Sequence, residues 1–214
     1  MDTQIVLTAV QPALAEAWRR HCGDLDQVEV HQGSIFECSV DAVVSPANSF
    51  GFMDGGIDRL YSNYFGWDLQ ARLQDQIRTR HHGELLVGAA ELVETEHAGI
   101  PFLIAAPTMR VPMILRGTVN PYLAARAVLL LIRHGQVAVG ELAGQPVAKV
   151  VRRVAFPGLG TGVGRVEPDI CARQVRAAID EVVLGLSEPP QTWFEAQTRH
   201  QLLYGEHAHD LQRG

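Results

Sequence analysis

Ala42-Val-Val-Ser45-Pro-Ala-Asn48-Ser-Phe-Gly51-Phe-Met-Asp54-Gly55-Gly56-Ile-Asp58 runs from a short apolar stretch into a loop of proline, amide and glycine residues. Ala42 to Ser45 reads as a short strand. In layered α/β proteins ligands bind outside the carboxyl ends of strands, so the loop stands where a site belongs. Asn48 supplies a donor and an acceptor, Asp58 an acceptor or general base, and Gly55-Gly56 permits close backbone approach to a ligand. The same residues also suit a plain connection. In that reading Asn48 makes an Asx turn, and Asp54 or Asp58 caps the helix that follows.

A second loop has the same placement. Ala155-Phe-Pro157-Gly158-Leu159-Gly160-Thr161-Gly162-Val163-Gly164-Arg165 follows a strand and precedes a helix, with a glycine at every second position from 158 to 164. Consecutive exposed N–H groups near a helix start make a nest for an anion or a diphosphate. Two familiar nucleotide loops are excluded: no Gly-Lys-Ser/Thr is present, and Val163 occupies the third glycine position of GxGxxG.

Around these loops, strand-length apolar runs alternate with segments of helical period, which predicts an α/β sheet covered by helices on both faces. Strands are expected over Ile5 to Val10, Val28 to His31, Leu86 to Val93, Phe102 to Ala106 and Val150 to Phe156. Helices are expected over Pro12 to His21, Trp67 to Arg80, Pro121 to His134 and Pro168 to Leu186, with Arg126 and Arg133 reaching out of the third of these. Residues 1–27 are read as a strand and helix extending the same domain, 28–187 as its core, and 188–214 as a tail packed on the core through Trp193 and Phe194.

Composition narrows the function. The 214 residues are 47% hydrophobic, with 18 basic against 24 acidic side chains and a net charge of −6, which excludes a broad basic nucleic-acid surface. Lys149 is the sole lysine, so a reactive lysine has one candidate. Cys22, Cys38 and Cys171 are too widely spaced for a disulfide framework or a standard zinc module and read as small apolar residues. No secretory signal or membrane span is visible in the sequence, which predicts a cytoplasmic protein.

Taken together, the loops resemble the macrodomain family. Asp41-Ala-Val-Val-Ser-Pro-Ala-Asn48-Ser is similar to the family's D-A-I-V strand leading into N-A-A-N-S, and the interval from Asn48 to Asp58 equals that from the family's second Asn to its Asp. Ala155-Phe-Pro-Gly-Leu-Gly160-Thr161-Gly162-Val163 is similar to A-F-P-A-I-S-T-G-V, and Gln32-Gly33-Ser34-Ile35 stands at the family's x-G-D-I. The resemblance runs from Val28 to Leu186 and implies a three-layer α/β/α fold with a mixed central sheet. It further implies an ADP-ribose ligand held by Ser34, Ile35, Ala47, Gly55, Gly56, Ile57 and the Pro157 to Gly164 loop, namely Pro157, Gly158, Leu159, Gly160, Thr161, Gly162, Val163 and Gly164. Neither a metal nor a cofactor is called for. There are departures: Ser34 replaces the Asp that holds the adenine amino group, Ser45 replaces the first Asn, and Gly164 sits where many members carry an aromatic. Phe50, Phe52, Tyr61 and Phe65 are the candidates to replace that aromatic.

In hydrolytic members the resemblance implies cleavage at C1 of the distal ribose, with Asn48 and Asp58 as the catalytic pair and Asp58 orienting or deprotonating water. A lysine-nucleophile branch is disfavoured because Lys149 precedes the strand leading into the second loop. A zinc branch would need Cys38, His81 and His82 to converge. The alternatives are a non-catalytic reader of ADP-ribose or a nucleotide signal, an ADP-ribose 1″-phosphate phosphatase, and an interaction domain with a decayed site. The implied partner is ADP-ribose or an ADP-ribosylated substrate, with protein and nucleic acid both open as the acceptor. Arg110, in the Pro107 to Pro112 loop, is the candidate to meet a phosphate during substrate selection, or else a solvated surface arginine.

Overall fold

The computed structural model describes residues 3–46, 48–186 and 188–211. The elements are β1 (Gln4–Ala9), α1 (Pro12–Cys22), β2 (Val28–Gln32), β3 (Ala42–Ser45), α2 (Gly56–Phe65), α3 (Asp68–Arg80), β4 (Glu91–Glu94), β5 (Phe102–Ala105), α4 (Asn120–His134), α5 (Val147–Val150), β6 (Arg153–Phe156), α6 (Pro168–Val182) and α7 (Trp193–Leu202). The sheet order is β2-β1-β6-β3-β5-β4. All neighbours are parallel except β4 and β5, so the sheet is mixed.

Period-two alternation divides the sheet between two cores. Ile5, Leu7, Val44, Ile104, Val154 and Phe156 face one side, where α1, α4 and α6 cover them with Trp18, Val128 and Val175. Val6, Val43, Leu103 and Ala155 face the other, under Tyr61 of α2 and Leu69, Leu73 and Ile77 of α3. The result is the three-layer α/β/α arrangement expected from the sequence. The rigid centre fixes where the strand ends emerge.

Several elements differ from their sequence reading, each for a local reason. Leu86 to Ala90 does not join a sheet: Gly88 is left-handed (φ 96°) and Ala89 N–H turns back to the Leu86 carbonyl, so β4 begins at Glu91. Residues 147–150 form one helical turn before β6, which starts only at Arg153. α6 stops at Val182, and the left-handed Gly185 then reverses the chain. Arg126 and Arg133 grip α6 rather than solvent, Arg126 through Glu181 at 2.9 Å and Arg133 through the Val182 carbonyl. The tail carries a helix, α7, whose Trp193 and Phe194 are exposed. Its tie to α6 is Arg173, which donates to the carbonyls of Leu202 and Gly205.

Asp41 locks the amino ends of the central strands. Its carboxylate accepts from the N–H groups of Arg152 and Arg153, both at 2.8 Å, while its own backbone bonds Arg153 and Phe102. Hydrogen bonds to a charged group contribute about 1.5–3 kcal/mol. Asp41→Ala is therefore expected to lower the unfolding free energy by about 2 kcal/mol, read from urea denaturation midpoints.

Candidate functional site

The five parallel strands β2, β1, β6, β3 and β5 all deliver their following loops to one cleft of about 440 Å³, within the usual range for a small-molecule site. Val10, Gln11 and Leu14 line it after β1, Gly33 to Phe36 after β2, Asn48, Phe52, Asp54 to Asp58 and Leu60 after β3, Thr108, Met109 and Pro112 after β5, and Pro157, Gly158 and Gly160 to Gly164 after β6. The antiparallel β4 points the other way and contributes nothing.

No lysine or arginine lines the cleft among the described residues. Any attraction for an anion there has to come from the backbone. α1 and α2 both begin at its wall, at Pro12 and Gly56, and the free N–H groups of a helix's first turn attract anions. The N–H groups of Gly160, Thr161, Gly162, Val163 and Gly164 donate to no protein acceptor among the described residues. Those of Arg165 and Val166 return to the carbonyls of Gly162 and Gly160. The glycines are required by packing. A Cβ on Gly158 would lie 2.4 Å from the Thr161 hydroxyl, and one on left-handed Gly160 2.9 Å from Leu115. Gly162 differs: a Cβ there meets nothing within 4 Å, so the cleft lies open above it.

Asp58 occupies the first turn of α2 and is 7% exposed, its Oδ1 accepting a 2.5 Å hydrogen bond from the Ser45 hydroxyl at the end of β3. Burial pushes its carboxyl up to about 7, against the opposing pull of that hydrogen bond. Such a group gains and loses a proton near neutrality, as a general base must. It does not cap α2, whose cap residue is Gly55, without a side-chain bond.

Asn48 closes its own loop. Its oxygen accepts from the N–H groups of Phe50 (3.1 Å) and Phe52 (3.3 Å), and its amide donates to the Phe52 carbonyl (2.9 Å), while its backbone bridges to Met109. The Asx-turn reading is thus present in the structure, on a residue that also lines the cleft. Beneath the loop, Thr108 donates its hydroxyl to the Pro46 carbonyl at 2.9 Å, and Asn120 donates to the Thr108 carbonyl at 2.7 Å.

The Macro domain family profile matches residues 44–175, well over half of the chain. The chain belongs to the macrodomain family. It is 31% identical over 155 residues to an uncharacterized protein of Aquifex aeolicus, covering 72% of this chain and 80% of that one. It is similar in fold to the macrodomain of Mycobacterium tuberculosis DarG, with a TM-score of 0.56, 18% identity and coverage of 71% and 88%. The Oceanobacillus iheyensis macrodomain solved with ADP gives a TM-score of 0.54, 20% identity and coverage of 69% and 71%.

In this macrodomain the cleft brings together Ser34, Ile35, Asn48, Gly55, Gly56, Ile57, Asp58, Pro157, Gly158, Gly160, Thr161, Gly162, Val163 and Gly164. Ala47 lies outside the described residues. Leu159 is not at the cleft: its side chain is fully buried in the core. Ser34 caps a single 3-10 turn, its hydroxyl accepting from the Phe36 N–H and its own N–H donating to Glu37. Gly164 has no room for an aromatic, since a Cβ there would meet the Gly160 carbonyl at 2.5 Å and Leu115 at 2.8 Å. Of the four aromatic candidates, Phe52 alone lines the cleft. Tyr61 is buried with its hydroxyl on the Val44 carbonyl, Phe65 packs on Phe36, and Phe50 lies under Arg110.

Arg110 is a correction. It makes a two-pronged ion pair with Glu84 at 2.7 and 3.2 Å and does not face the cleft. Lys149 is exposed on α5, before the amino end of β6 and opposite the cleft. His81 bonds Glu91 at 2.6 Å, and no group of potential metal ligands forms among the described residues. Ser45 is the residue that sequence reasoning missed, because its hydroxyl meets Asp58 only when α2 folds back over β3. Among the described residues no helix is long and apolar enough to cross a membrane.

The raised carboxyl has a cost in stability. Between 3.8 and about 7 the folded protein holds a proton on Asp58 that the unfolded chain has released, so stability falls as pH rises through that window. Asp58→Asn removes this loss. The variant is expected to exceed the wild type in unfolding free energy at pH 8 and to lose most of that advantage at pH 5, measured by denaturant titration at both.

Proposed function

We propose that this macrodomain binds ADP-ribose or a derivative in the cleft and hydrolyses the bond at C1 of the distal ribose. The diphosphate lies against the free N–H groups of Gly160 to Gly164 and the start of α2, a cradle made without cationic side chains. Binding energy gathered there orients the sugar at the reacting centre. Asp58 takes a proton from water as its oxygen bonds to C1, and the bond from C1 to the acceptor oxygen breaks, the electron pair leaving with the acceptor. Asn48 fixes the loop that carries the distal ribose. The adenine end lies toward Ser34 and Ile35, with Ser34 lacking the acidic acceptor implied for other members.

The observation that carries the catalytic part is Asp58: a carboxyl buried at the cleft wall, raised to about 7 and held by Ser45. A reader of ADP-ribose needs no group that titrates there. The O. iheyensis macrodomain solved with ADP supports the diphosphate site by likeness of fold.

Asp58→Ala is expected to keep ADP-ribose affinity within a few-fold by calorimetry while turnover of mono-ADP-ribosylated substrate falls by about 10²–10⁴. Binding without turnover by the wild type on protein, nucleic acid and 1″-phosphate substrates alike would assign the cleft to a reader. The pH profile gives an independent measurement. kcat/KM is expected to rise with pH through an inflection near 7, and Ser45→Ala, which removes the one interaction that favours the ionised form, is expected to move that inflection upward.

A further inference from the structure

The cleft mouth carries a surface the reaction itself does not need. Phe52, Leu60 and Val163 line the cleft and are each more than half exposed. Val111, Met113 and Ile114 are also exposed, on either side of the cleft-lining Pro112. Their segment is pinned beside the glycine loop: Leu115 N–H donates to the Gly164 carbonyl at 2.8 Å, and the Leu115 side chain fills the space that Gly160 and Gly164 leave. Scattered exposed apolar residues need no explanation, but a group gathered round one opening marks an interaction surface.

The charges follow the same outline. Among the described residues, the guanidinium groups of Arg59, Arg116, Arg152 and Arg165 are the ones without a hydrogen-bond, ion-pair or ring partner. Arg152 lies at the amino end of β6, away from the cleft. Two of the other three adjoin lining residues, Arg59 between Asp58 and Leu60 and Arg165 after Gly164, and Arg116 follows Leu115, whose N–H is bonded to the Gly164 carbonyl. In a chain of net charge −6 whose other described arginines, Arg152 apart, are tied to protein acceptors, free arginines beside apolar side chains are the composition of a binding surface for a partner with carboxylates.

We propose that this collar docks the acceptor that carries the ADP-ribose, and that the acceptor is a protein segment bearing acidic and aliphatic side chains. This rests on the function proposed above. A nucleic-acid strand fits less well. Five of the six exposed apolar residues are not aromatic and offer little for base stacking.

The test compares free ADP-ribose, a synthetic peptide rich in Glu and Leu bearing one ADP-ribosyl group, and a single-stranded DNA oligonucleotide bearing the same group. Wild-type protein is set against Arg116→Glu/Arg165→Glu and against Val111→Ser/Met113→Ser/Ile114→Ser. The wild type is expected to bind the peptide at least tenfold more tightly than free ADP-ribose. Both variants are expected to lose that gain, with raised KM, unchanged kcat and affinity for free ADP-ribose within twofold of wild type. Binding of free ADP-ribose with no gain from the peptide, or a larger gain from the oligonucleotide, overturns the proposal alone. Absence of any binding of free ADP-ribose overturns the underlying function and the proposal with it.

Discussion

Close packing of the Gly158 to Gly164 loop is the constraint on which the site depends. Leu14 from α1, Leu115 from the segment before α4 and Thr161 of the loop itself occupy the positions that side chains at 158, 160 and 164 would claim. Three separate connections are thereby held in van der Waals contact at the carboxyl edge of the sheet. Because interiors of this density do not deform continuously, the loop's N–H groups keep their directions without a ligand. A single Cβ at Gly164 would have to displace either the Gly160 carbonyl or Leu115, and Leu115 is buried. The departure from an aromatic at this position is therefore a change in how the loop is supported, and among the described residues Phe36 and Phe52 are the aromatic side chains that line the cleft.

The same edge explains how an acidic protein can present an anion with donors. Field strength comes from two helix starts and a run of backbone donors, all fixed by the fold. Arginines in the cleft would stabilise a carboxylate and pull the Asp58 carboxyl down. With none among its lining residues, desolvation prevails and the carboxyl stays near neutrality. The ligand cradle and the titrating group are thus compatible because neither uses cationic side chains.

Much of this was legible in the sequence, and the exceptions share a cause. β3 was readable because Ala42-Val-Val-Ser45 is a short apolar run, and both loops were readable because glycine spacing reports backbone geometry directly. Asn48 and Asp58, singled out by their interval, both line the cleft. What failed depended on partners distant in the chain. Arg110 finds Glu84 across 26 positions, and α7 is tied down by Arg173 rather than by its own aromatics. Leu159 stands among the cradle glycines yet points into the core, since alternation along an extended stretch sends neighbouring side chains to opposite sides. Leu86 misled because an apolar residue promises burial only on average, and Gly88 turns the chain before the sheet begins.

Asn48 spends its side chain on its own loop, three hydrogen bonds holding Phe50 and Phe52 around one amide. The entropy of ordering that segment is therefore lost during folding and not at the encounter with a ligand. A cleft so prepared resembles a set mould more than a closing hand. A ligand seated at this wall would meet a segment already shaped by its own hydrogen bonds.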